Sequence, residues 1–73
     1  MDKELVSRKF STESKSYFLD IKENRMGFYI KVSEISKGQR SSVIIPQEAW
    51  SRFIEELQEL IEEFTHSSLE AGG

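Results

Sequence analysis

Residues Ile21 to Ile35 read IKENRMGFYIKVSEI, and their spacing decides the fold. In the second half Phe28, Ile30 and Val32 fall on one side of an extended chain, and Tyr29, Lys31 and Ser33 on the other. A strand with one apolar face needs that alternation. The first half closes an earlier strand, Tyr17 to Lys22, in which Tyr17, Leu19 and Ile21 oppose Phe18, Asp20 and Lys22. Glu23 to Gly27 makes a tight connection, because Asn24 and Gly27 tolerate positive φ.

The pattern extends in both directions. Leu5 to Ser11 reads as a strand and Ser11 to Ser14 as a turn of small polar residues. The turn Lys37-Gly38-Gln39 leads into a last strand, Arg40 to Ile45. Four short strands with short connections predict an antiparallel meander. Pro46 then suits the first position of a helix, where its missing N–H has no partner to lose. Trp50, Phe53, Leu57, Leu60 and Phe64 follow at helical spacing, with Ile54 and Ile61 beside them. The expected organisation is an α+β unit, ββββα, over residues 4–66. The helix is expected to end near His66, and residues 67–73 to form a flexible tail.

The chain has 73 residues, no Cys and one His. A unit of this size needs disulfides, metal or oligomerisation to be secure, and only the last fits this composition. No apolar run reaches the roughly 20 residues of a membrane span. The start, MDKELVSRKF, lacks a signal-peptide core, so the expectation is an intracellular protein without membrane contact. The net charge of −3 hides a segregation: residues 1–45 carry nine basic and six acidic side chains, residues 46–73 one basic and seven acidic. Local field, more than net charge, decides where an anion lands.

A helix of about 20 residues is about 30 Å long. Four strands at about 4.8 Å spacing are only about 19 Å across. A helix crossing the strands would overhang its own sheet, and a second copy would have to cover the overhang. A helix lying along the strands could instead complete a monomer. The small size and the overhang together predict a homodimer with Trp50, Phe53, Leu57, Leu60, Ile61 and Phe64 at the interface.

With the apolar side of the sheet under a helix, the other side displays Phe18, Asp20, Lys22, Tyr29, Lys31 and Ser33, with Arg25 at the turn and Lys15 before the second strand. Single-stranded nucleic acid suits such a surface: bases stack on rings and phosphates meet cations. The competing reading makes Phe18 and Tyr29 a cross-strand pair that only stabilises the sheet. No constellation of nucleophile and base is present, so no enzyme, cofactor or small-molecule substrate is expected. The helix glutamates read as a solvated face and not as a metal site.

Several segments resemble the Pur family of purine-rich element binding proteins. Glu4-Leu5-Val6-Ser7-Arg8-Lys9 with Lys15-Ser16-Tyr17-Phe18-Leu19-Asp20-Ile21-Lys22 is similar to the start of a Pur repeat. Lys22-Glu23-Asn24-Arg25-Met26-Gly27-Phe28-Tyr29-Ile30-Lys31 is similar to its K-(E/Q)-N-x-(K/R)-G-R-F-L-(K/R) segment. Val32-Ser33-Glu34, Arg40 to Pro46 and Trp50 continue the likeness. The resemblance implies a whirly-like ββββα repeat whose helix intertwines with that of a second repeat, here a second copy. It also implies binding of single-stranded DNA and RNA, with preference for purine-rich, G-containing sequence. By position it implies contacts from Lys22, Asn24, Lys31 and Lys15, with Tyr29 as the stacking ring. Met26 and Phe28 stand where the family has basic residues, with Arg25 beside Met26 as a substitute. The family's third repeat departs in similar ways and serves mainly in dimerisation. The expected function is therefore a nucleic-acid-binding homodimer concerned with transcription. It would act in the cytoplasm or nucleoid of a bacterium, or the nucleus and cytoplasm of a eukaryote. The alternative is an interaction module without strong nucleic-acid binding.

Overall fold

The computed structural model describes the backbone of residues 3–72 and the side chains of residues 3–67. Four strands form one antiparallel sheet in chain order: β1 (Lys3–Ser11), β2 (Ser16–Asn24), β3 (Gly27–Ser36) and β4 (Gln39–Pro46). A single 3-10 turn, Gln47–Ala49, leads into α1 (Trp50–Gly72).

Each connection has a local cause. Thr12 N–H donates to Lys15 O at 2.8 Å, and the Thr12 hydroxyl accepts from Lys15 N–H at 3.2 Å, which closes the β1–β2 loop. Between β2 and β3, Asn24 Oδ1 accepts the Met26 N–H at 2.9 Å, and Gly27 takes φ 128°. An Asn side chain that imitates a backbone turn, followed by a glycine free of the Cβ restriction, makes a two-residue reversal. At the β3–β4 hairpin Lys37 (φ 52°) and Gly38 (φ 76°) are both left-handed, as a two-residue hairpin with matching strand twist requires.

The register assigns the faces. Ile21 lies opposite Ile30, Leu19 opposite Val32, Lys22 opposite Tyr29, Asp20 opposite Lys31 and Phe18 opposite Ser33. Directly paired residues share a face, so the alternation read from Ile21–Ile35 holds. The apolar face adds Val6, Phe10, Val43 and Ile45 from the outer strands. The rings of Phe10 and Tyr17 stack on it at 4.9 Å. The polar face adds Ser7 and Lys9 from β1 and Arg40, Ser42 and Ile44 from β4. A register shift between Glu4 and Val6 sets Leu5 out of step in β1.

Three expectations need correction. The helix neither crosses the sheet nor lies along it. It packs on the 3-10 turn, and every side chain from Ser51 to Ser67 is exposed. Trp50 ties its first turn to the end of β4, donating from Nε1 to Ile45 O at 2.8 Å. The short 3-10 turn and this bond set the helix on a course that leaves most of the apolar face uncovered: Ile45 is buried, the central residues are half-buried, and Val6, Phe10, Phe28 and Val43 are exposed. Pro46 closes β4, in extended conformation, where a helix start was expected. The helix also continues past His66 to Gly72. Its backbone needs no apolar periodicity there, since Leu69, Glu70 and Ala71 are all good helix formers. The expected tail falls largely on residues whose side chains lie outside the described set.

The single chain thus has almost no core. Its only buried large apolar residues among those described are Tyr29 and Ile45. The radius of gyration is 15.6 Å, against about 11 Å for a compact chain of this length. No helix among the described residues is long and apolar enough to cross a membrane.

Candidate nucleic-acid interface

The polar face of the sheet carries a shallow cavity of about 410 Å³. Four cationic residues of this face line it, Lys9, Lys22, Lys31 and Arg40, against two carboxylates, Glu4 and Asp20; Arg8 also borders it, although its register partner Leu19 lies on the apolar face. Asp20 is engaged: its Oδ1 accepts the Ser7 hydroxyl at 2.6 Å. The cavity is therefore positively biased although the whole chain is acidic. The glutamates responsible for that acidity sit mostly on α1, one of them tied to Arg52 by a 2.7 Å ion pair.

The expected contact residues divide into three groups. Phe18, Lys22 and Lys31 come together in the cavity. Asn24 and Arg25 stand at the β2–β3 turn, beyond the Lys22 end of this face, and Arg25 is exposed. Lys15 is not brought in. It lies at the opposite end of β2, and its Nζ is 3.5 Å from Glu34 Oε2. Glu34 pairs with Tyr17 and so belongs to the apolar face.

Tyr29 is the largest departure. Its ring belongs to the expected face, opposite Lys22 on one side and Pro46 on the other, yet only 6% of the residue is exposed. Tyr29 sits where β4 hands over to the 3-10 turn, and that turn lies against β3. So little exposed surface leaves the ring poor as a stacking platform. The cross-strand pair between Phe18 and Tyr29 does not form either, because Phe18 faces Ser33.

Sequence reasoning missed Lys9 and Arg40. Lys9 Nζ lies 5.4 Å from the centroid of the Phe18 ring, and Arg40 Cζ 5.5 Å from it. The signal was present in the alternation of Ser7, Lys9 and Ser11 and of Arg40, Ser42 and Ile44, but it becomes legible only with the registers of β1 and β4.

Residues 2–64 match the family described as PurA ssDNA and RNA-binding protein. Among relatives, the chain is similar to transcription factor Pur-alpha 1 of Arabidopsis thaliana, 41% identical over 54 residues, covering 74% of this chain and 18% of that protein. It is 37% identical over 57 residues to transcriptional regulator protein Pur-beta of Danio rerio, covering 68% and 19%. Against purine-rich element-binding protein gamma of Homo sapiens the identity is 34% over 44 residues, covering 60% and 13%. The chain spans less than a fifth of the length of each of these relatives.

Proposed function

Because the chain belongs to the PurA family of single-stranded DNA- and RNA-binding proteins, we propose that it binds single-stranded nucleic acid on the polar face of its sheet. In this reading it acts as a homodimer and prefers purine-rich, G-containing strands. The observation that carries the proposal is the cation-lined cavity on a sheet face that no helix covers. Phosphates meet Lys22, Lys31 and Arg25, and bases stack on Phe18. Asn24 holds the β2–β3 turn with its amide oxygen and turns its amide N–H groups to base edges. Lys15 joins only by leaving Glu34. Tyr29 acts as packing at the end of this face, beside the site, and not as its platform. The acidic helix keeps the strand off the other surfaces by repulsion.

The dimer rests on two uncovered surfaces that need one another. The sheet lacks a cover on its apolar face, and α1 exposes Phe53, Ile54, Leu57, Leu60, Ile61 and Phe64. Large apolar side chains are stabilised by about 1.5–3 kcal/mol each when removed from water. A second copy brings a helix stripe to the uncovered sheet face and a sheet face to the exposed stripe. Relatives named as transcription factors and regulators favour a role in transcription, and hence a place with the nucleic acid, in nucleus and cytoplasm or in a nucleoid.

Titration of labelled G-rich and pyrimidine single strands across a salt series tests the binding. The expected result is tighter binding of the G-rich strand, with affinity falling as salt rises, since a strand that loses several condensed counterions binds with a steep slope. Absence of binding to either strand at low salt overturns the reading. It would favour an interaction module, a role consistent with the fully exposed Met26 at the β2–β3 turn, 96% accessible where the family has a cation.

A further inference from the structure

Lys9, Phe18, Ser33 and Ser42 form one straight row across all four strands. Arg40 stands two residues before Ser42 on β4. Its strand is two away from that of Phe18, a separation of about 9–10 Å. The guanidinium nevertheless comes within 5.5 Å of the Phe18 ring centroid. The long Arg40 side chain must therefore reach diagonally across β3, from beside its own partner Ile35 toward Phe18. On the Phe18 side of that path the β3 residue is Ser33, which is small, 0% exposed, and hydrogen-bonded through its hydroxyl to Ser42 at 3.0 Å. A bulky residue there would block the approach; a serine with its polar atom satisfied makes a low floor. Lys9 reaches the same ring from β1, at 5.4 Å.

We infer that Phe18, Lys9 and Arg40 together form the seat for one nucleotide unit: its base stacks on the Phe18 ring, and its two flanking phosphates pair with Lys9 and Arg40. The inference rests on the polar face being the single-strand surface, and it widens that surface to the outer strands β1 and β4. The chemistry favours an exchange. In the free protein two cations take the electron-rich face of the ring. When a strand arrives, the ring exchanges a cation for a base, and each cation exchanges the ring for a phosphate. Every group that loses a partner gains another, and no charge is left without one. The same groups suit RNA and DNA alike, since ring and phosphate contacts do not read the 2′-hydroxyl.

The test compares wild type, Phe18→Leu and the double variant Lys9→Gln/Arg40→Gln on one G-rich single strand, each over a salt series. Far-ultraviolet circular dichroism checks that each variant is folded. Phe18→Leu should weaken binding about 5- to 150-fold, the range for loss of one base stack, with the salt slope unchanged. Lys9→Gln/Arg40→Gln should lower the slope of log affinity against log salt by about 1.4, from about 0.7 per phosphate contact on a single strand. The double variant keeps the ring and the floor, so it tests the seat even if Phe18→Leu fails to fold. If wild type binds and both variants bind like it with the same slope, the seat is overturned while the face remains the binding surface. If wild type binds no single strand, the reading of the face fails first and the seat falls with it.

Discussion

Tyr29 and Lys31 are two residues apart on β3 and share a face, yet they answer to different physics. Tyr29 is buried at the end of the sheet, so its ring serves the fold. Truncating a buried aromatic to alanine costs about 3–5 kcal/mol. Tyr29→Ala should accordingly lower the denaturation midpoint steeply, and much of the protein should be unfolded at 37 °C. Unchanged thermal stability with weakened strand binding would return Tyr29 to the role of platform. Lys31 lines the cavity. Lys31→Ala should leave the melt almost unaltered and weaken binding to every sequence alike, lowering the salt slope by about 0.7.

Among the elements, the join between sheet and helix decides most. The 3-10 turn is three residues long, and one side-chain bond, from Trp50 Nε1 to Ile45 O, anchors the helix that follows. A part-buried hydrogen bond contributes about 0.5–1.5 kcal/mol net. Trp50→Phe keeps an aromatic ring there and removes only the donor. It should lower stability by about 1 kcal/mol in urea denaturation, with a larger effect on helix orientation than on strand pairing. An unchanged urea midpoint would show that packing alone sets the helix exit.

The molecule as a whole is a sheet and a helix that bury almost nothing against each other. A chain in this state cannot offset the conformational entropy of ordering its residues. If a second copy supplies the missing cover, folding and association are one process, and the melting temperature should rise with protein concentration. Leu57→Asp would set a charge in the seam between helix stripe and apolar face and should abolish dimer and fold together. Light scattering alongside circular dichroism checks this. A folded wild-type monomer at high micromolar concentration would contradict it.

The order ββββα and the division of β2 and β3 into two faces were determined by the sequence alone. Period-two and helical spacings are local properties, and the reversals are marked by Gly27 and Gly38, with their backbone freedom, and by Asn24, whose side chain closes its turn. Lys22, Lys31 and Phe18 were placed on one face by the same alternation. Three matters depended on the tertiary structure. Tyr29 is covered because the chain after Pro46 folds against β3, and alternation tells which side a ring is on but not what lies over it. Lys15 turns to Glu34, a residue 19 positions away that only the β2–β3 register makes a neighbour. Lys9 and Arg40 meet at the Phe18 ring because the registers of both outer strands, one of them shifted near Leu5, bring four distant segments side by side. Periodicity travels along a chain. Register, burial and the meeting of charges across strands exist only once the chain has folded.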